Sequence, residues 1–247
     1  MIIAVCGNSG SGKSTLALKI ATLFAHLDRN TILVDTDFVT PQFNIWYPKK
    51  EMYSHSSLAV LLDNNIDTET VANKLCVVNN TLGVLGYARD FSANAMPRRP
   101  DTAMQLLETL QNMADVVVVD IQTGFINDIL SFEAMSSADI RIVTLTPDIK
   151  GLSWYDSNIR MLEESWKNLD AHVIRVLNKT HPTAPLAEIE QTVGTIPYYL
   201  PFSVEIEEQM NTGTLPDITL NTAPGKQYMG VVQSLVGVIE QQFSYNE

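Results

Sequence analysis

Short apolar runs alternate along the chain with longer stretches of helical periodicity. Ile2–Cys6, Thr31–Val34, Leu82–Gly86, Val116–Val119, Ile140–Leu145 and His172–Leu177 read as strands, with a short further one at Gly194–Ile196. Most of these runs are continuously apolar, as expected of strands covered on both faces. Between them, Ser14 to Leu27 places Leu16, Ile20, Leu23 and Leu27 on one helical face. Asp101 reads as the N-cap of a helix through Leu106, Leu107 and Leu110. Further helices are predicted over Gly151–Trp166, Pro185–Thr192 and Gly225–Phe243. Strands alternating with helices predict an α/β fold, a mostly parallel twisted sheet with helices on both faces. No repeat, low-complexity stretch or linker interrupts the pattern, so a single domain over 1–247 is expected.

Composition narrows the function classes. With 45% hydrophobic and 18% charged residues in 247, the chain has the makeup of a globular protein. Its net charge of −12 counts against direct DNA binding, which needs clustered Lys and Arg. The basic doublets Lys49-Lys50 and Arg98-Arg99 read as solvated loop charges. Cys6 and Cys76 read as reduced, buried thiols, and His26, His55, His172 and His181 form no metal-binding spacing. No run approaches the ~18 apolar residues of a membrane span. The opening Met1–Cys6 lacks the basic start and length of a secretion signal, so a cytoplasmic location is expected.

The first strand runs into Gly7-Asn8-Ser9-Gly10-Ser11-Gly12-Lys13-Ser14, which fits G-x-x-x-x-G-K-[ST]. Glycines let such a loop curl so that successive backbone N–H groups face phosphate oxygens. The following helix adds the positive end of its dipole. In this arrangement the Lys13 ammonium bridges β- and γ-phosphate oxygens and the Ser14 hydroxyl ligates magnesium. Gly7 to Ser14, with Thr15, are the candidate nucleotide-binding residues, for ATP with Mg2+.

Carboxylates follow at the ends of two other strands, where ligands gather in parallel sheets. Val116–Val119 delivers Asp120, a Walker B pattern. Thr31–Val34 delivers Asp35-Thr36-Asp37. If that strand continues, its two-residue period places Asp35 and Asp37 on one side. One could hold metal-bound water and the other orient the attacking water. The candidate metal ligands are Ser14, Asp35 and Asp120; the candidate catalytic residues are Lys13, Asp35 and Asp37.

With these motifs the chain resembles the ParA/MinD group of P-loop ATPases, in the SIMIBI class. The likeness continues through Thr144-Leu145-Thr146-Pro147-Asp148, Val176-Leu177-Asn178-Lys179, and Ile196-Pro197 followed by Phe202 to Leu215. The resemblance implies that Asn178 hydrogen-bonds the adenine and that Pro197 lines the base pocket. It places Asp37 in a first switch segment and Gly124 in a second. It also implies a homodimer with nucleotide sandwiched between subunits, acting on a cargo such as a plasmid or chromosome, a division site, or a pilus or secretion machine. One position departs from the group. Its loop reads K-G-G-x-G-K-[ST], with a first lysine that crosses to the partner's phosphates, whereas this chain has Asn8 and Ser9. A neutral amide cannot supply that cation, so slow hydrolysis is expected. Pilus-localising relatives of the TadZ/CpaE type depart similarly.

The C-terminal helix tells against a membrane partner. After Lys226 it carries no Lys or Arg, whereas a membrane-surface helix has a basic polar face. Its apolar face (Tyr228, Val231, Val232, Leu235, Val238, Ile239) is expected to pack on the sheet, which leaves a protein partner. Two alternatives stay open from the sequence. One is a metabolic kinase or ATP-dependent ligase of the dethiobiotin-synthetase-like branch. The other is a nucleotide-binding scaffold that does not hydrolyse.

Overall fold

A computed structural model describes residues 1–47, 58–62, 66–87, 100–167 and 172–244. The doublets Lys49-Lys50 and Arg98-Arg99 lie outside the described residues. The strands are β1 (Ile2–Gly7), β2 (Thr31–Asp35), β3 (Cys76–Val77), β4 (Leu82–Leu85), β5 (Val116–Asp120), β6 (Ile140–Leu145), β7 (His172–Thr180) and β8 (Tyr198–Pro201). The helices are α1 (Lys13–His26), α2 (Phe43–Trp46), α3 (Leu58–Leu62), α4 (Thr68–Lys74), α5 (Pro100–Met113), α6 (Ile129–Ser137), α7 (Ile149–Asn158), α8 (Arg160–Lys167), α9 (Leu186–Val193), α10 (Val204–Thr212) and α11 (Ala223–Ser244).

The strands form one sheet in the order β3-β4-β2-β5-β1-β6-β7-β8. All neighbours run parallel except β3, which pairs antiparallel with β4. The continuous apolar runs are explained by two cores, one on each face. Along β1, Ile2, Ala4 and Cys6 belong to one core and Ile3 and Val5 to the other. In β5, Val117 and Val119 face the first core while Val116 and Val118 face the second. The apolar face of α11 lies in the second core, where Tyr228, Val232, Leu235 and Ile239 are buried with Leu16 and Ile20 of α1. That packing matches the sequence reading of this helix.

Four local differences have physical causes. The last strand lies at Tyr198–Pro201, not at Gly194–Ile196; Gly194 takes φ 84° and ends α9 instead. Two-residue β3 is too short to register as a pattern. Asp101 sits inside the first turn of α5, which Pro100 opens. The stretch Gly151–Trp166 is two helices with a break at Ile159, beside which the Asn158 amide donates to the Trp154 carbonyl at 2.9 Å.

Candidate nucleotide site

The central strands β2, β5, β1 and β6 end together, and their carboxyl ends carry the predicted chemistry. The loop after β1 is shaped by close approach. A Cβ at Gly7 would lie 2.2 Å from the Thr144 carbonyl oxygen. Gly12 takes φ 79°, and a Cβ there would lie 2.2 Å from the Asn178 side chain. Gly12 is also the N-cap of α1, and no side chain caps that helix. No acidic residue stands in its first turn. The first N–H groups of any helix have no intrahelical acceptor. Here they open on a cavity of about 590 Å³ lined by Ser9, Gly10, Gly12, Lys13, Ser14 and Thr15. Free N–H donors at a helix start beside an ammonium suit an anion.

Gly7, Asn8 and Ser11 stand behind this lining. Asn8 was expected to touch nucleotide, but it is 4% exposed and turned inward. Its Nδ2 donates to the Thr146 hydroxyl at 2.9 Å and to the Ser9 carbonyl at 3.1 Å. Its Oδ1 accepts the Thr146 N–H at 3.0 Å. The Thr146 hydroxyl donates in turn to Asp148, which caps α7 by accepting from Gly151 N–H. Asn8 thus fastens the phosphate loop to the loop after β6. Asn8→Ala removes both ends of this clasp and leaves the Thr146 N–H unmet. It is expected to cost about 1–3 kcal/mol, read as a lower midpoint in thermal unfolding.

The carboxylates separate into different roles. Asp35 is the last residue of β2, so the strand period does not reach Asp37. Asp35 is fully buried, and its carboxylate accepts N–H groups from Asp37 (3.0 Å), Gln42 (2.7 Å) and Phe43 (3.0 Å). Burial raises its pKa, and those three bonds pull it back. Asp35 does not line the cavity. Its three bonds tie it to the segment before α2, and like Asp120, its partner across the β2–β5 register, it stands behind the lining. Asp37 does line the cavity. Its oxygens accept from Val39 N–H, Thr40 N–H and the Thr40 hydroxyl, at 2.9, 2.9 and 3.0 Å.

Asp120 differs from both. It is 1% exposed, and no N–H group donates to either carboxylate oxygen. Burial drives its pKa well above the ordinary range; Lys13 opposes this, Asp35 adds to it, and the Ser14 hydroxyl lowers it. A buried carboxylate with free lone pairs, next to the Ser14 hydroxyl, fits a hydrated divalent cation held through phosphate oxygens. Among the described residues no three His, Cys, Asp or Glu side chains gather into a metal site of their own. Such a cation would therefore depend on the phosphates for its remaining ligands.

Between the strand tips, the Thr36 hydroxyl donates to the Asp120 carbonyl at 2.8 Å and accepts the Gln122 N–H at 2.9 Å. It joins the end of β2 to the segment leading to Gly124, where Thr123 lines the cavity. On the far side, β7 bulges between Leu177 and Thr180, and Lys179 takes φ 57°. The bulge aims Asn178 at the phosphate loop. Its Nδ2 donates to the Ser11 carbonyl at 2.7 Å, and its Oδ1 accepts the Lys179 N–H at 2.7 Å. Asn178 also lines the cavity.

Pro197 does not line the cavity; it is exposed, four residues before the strand tip. Pro201, the last residue of β8, lines it in Pro197's place, followed by Phe202 and Ser203. The displacement follows from the strand having been read four residues too early. Sequence reasoning also missed Gln42, Ile206, Met210 and Tyr228 in the lining. Tyr228 belongs to the apolar face of α11, and nothing in its spacing separates a core residue from a cavity wall.

Comparison with known proteins agrees with this arrangement. Residues 2–241 match the CobQ/CobB/MinD/ParA nucleotide binding domain. The septum site-determining protein MinD of Synechocystis sp. is 25% identical over 168 residues, covering 66% of this chain and 59% of that protein. The chain thus spans about three-fifths of the length of that curated relative. A ParA family ATPase from Chlorobium tepidum superposes with a TM-score of 0.74 at 18% identity, covering 95% of this chain and 96% of that one. MinD from Pyrococcus horikoshii, solved with Mg-ADP, gives 0.74 at 15% identity over 95% and 94% of the two chains. At these identities the structural likeness speaks for the fold.

Proposed function

Since the chain belongs to the CobQ/CobB/MinD/ParA family of nucleotide-binding domains, we propose that it is an ATP-binding switch ATPase of the ParA/MinD kind, acting as one unit over residues 1–247. The observation that carries this reading is the uncapped start of α1, opening with Lys13 on a cavity of about 590 Å³. A cavity of this size suits a nucleotide. Lys13 and the N–H groups of the loop hold the β- and γ-phosphates. The Ser14 hydroxyl and the Asp120 carboxylate would hold the metal. Magnesium, when bound, neutralises charge that develops on the transferring phosphoryl group. Asp37 and Thr123 line the same cavity, and the loops that carry them are the parts that would answer to hydrolysis.

The expected active form is a homodimer closed over two nucleotides. Val39, Ile126 and Ile149 support this; they follow β2, β5 and β6 at the carboxyl edge of the sheet, and are 68%, 52% and 83% exposed. Cargo and regulator are proteins in this reading, because the net charge of −12 disfavours DNA and the apolar face of α11 is spent on the core. No helix among the described residues is long and apolar enough to cross a membrane. With Asn8 clasped to Thr146, no cation reaches outward from that position, so turnover is slow. The kinase or ligase alternative gains no support from the relatives described above. Light scattering tests the switch: with ATP and magnesium the mass should rise from 27.4 kDa toward twice that value, and return with ADP. A mass that ignores the nucleotide rejects the sandwich dimer.

A further inference from the structure

We propose that Lys19 is a positioning residue for the nucleotide base: its buried ammonium fastens α10, the helix that walls the far end of the cavity, to α1, the helix that carries the phosphate-binding residues. The inference rests on the nucleotide-binding reading above and adds a residue that none of the phosphate or metal contacts involves.

Lys19 lies six residues after Lys13, about 9 Å further along the helix axis at the usual rise. It is fully buried. Its Nζ donates to Gln209 Oε1 at 2.8 Å and to the Asp217 carbonyl oxygen. Gln209 Nε2 donates to that same carbonyl at 3.1 Å, closing a three-membered ring of contacts. Gln209 sits on α10, and the cavity-facing side of α10 presents Ile206, Glu207 and Met210. With phosphates held at the α1 end, the base would fall between these side chains and Phe202, which also lines the cavity.

The choice of residue is what calls for explanation. A Leu or Met would pack between two helices without desolvating a charge. The Lys19 ammonium is bonded only to a neutral amide and a carbonyl, an expensive arrangement for stability alone. Burial pulls its pKa down to about 8, against the opposing charges of Asp217 and Glu205. What the ammonium provides is direction: one acceptor, Gln209 Oε1, lies on α10 and the other, the Asp217 carbonyl, in the segment that follows it, so a single cation holds the helix and its exit to α1. A second polar tether of α10 is at the surface, where Glu205 accepts the N–H groups of Asn221 (2.7 Å) and Thr222 (2.9 Å). That tether holds the helix start, while Ile206 and Met210 of the wall pack on the core without a polar contact to set their height. Lys19 holds the wall itself.

The test separates base from phosphate. Affinities of the full chain for Mg-ATP and for magnesium with inorganic tripolyphosphate are measured by calorimetry, in wild type and in Lys19→Met. ATP affinity should fall about tenfold or more, the scale of one lost hydrogen bond to a charged group, while tripolyphosphate affinity stays within twofold. Gln209→Leu, which keeps the lysine and its carbonyl contact, should reproduce the pattern more weakly. It carries the test if Lys19→Met does not fold. Equal losses for both ligands, or no loss for either, overturn the proposal. If wild type binds neither ligand, the fault lies instead with the nucleotide reading.

Discussion

Replacing Lys13 by alanine is expected to lower affinity for Mg-ATP by two to three orders of magnitude while leaving the fold intact. The ammonium lies at the mouth of the uncapped α1 and lines the cavity. It would make charge-assisted contacts to two phosphate oxygens, each worth about 1.5–3 kcal/mol. Without ligand, the unfavourable placing of Lys13 at the positive end of a helix dipole offsets its attraction for the buried Asp120, so its removal costs the empty protein little. A fluorescent ATP analogue reads the affinity and thermal unfolding reads the fold. An unchanged affinity would mean that the loop is a glycine-rich turn and no more.

Asp120→Asn is expected to act in opposite directions on the empty and the loaded protein. The folded carboxyl is raised from 3.8 to about 7, mainly by burial. In that interval the folded chain holds a proton that the unfolded chain has released. Stability therefore falls as pH rises from about 4 to about 7, and stays lower above it. Asparagine has no charge to desolvate. At pH 8 the variant should melt several degrees higher than wild type, at roughly 2–4 °C per kcal/mol for a chain of this size. At pH 4 the two should converge. The loaded protein should lose the stabilisation that magnesium adds to ATP binding, because the amide cannot hold the metal's water as a carboxylate does. Equal melting points at pH 8 would contradict the strain assigned to this carboxylate.

The sequence made the fold legible because the strands are buried on both faces. Runs such as Val116–Val119 carry no alternation, and only a sheet between two helical layers hides every residue of such a run. The phosphate loop was legible because its glycines and Lys13 leave few alternative uses for that spacing. What stayed hidden was side-chain direction. Asp35 and Asp120 look alike as strand-end aspartates. Three backbone N–H groups, two, seven and eight residues further on, occupy Asp35, and none reaches Asp120. Asn8 reads as a missing cation, yet its two hydrogen bonds to Thr146 span 138 positions, a distance no local pattern encodes. Pro197 and Pro201 fell to a strand boundary misplaced by four residues, the least certain quantity in any pattern. Lys19 gave no signal at all, since a lysine on an amphipathic helix normally faces water.

The central claim is that the end of β1 and the start of α1 grip the phosphates of a magnesium-bound nucleotide. Isothermal titration of the full chain with Mg-ATP tests it most directly. Saturable heat at one nucleotide per chain, abolished by Lys13→Ala at the same concentrations, is the result predicted. The absence of any heat of association from wild-type protein that melts cooperatively would contradict it.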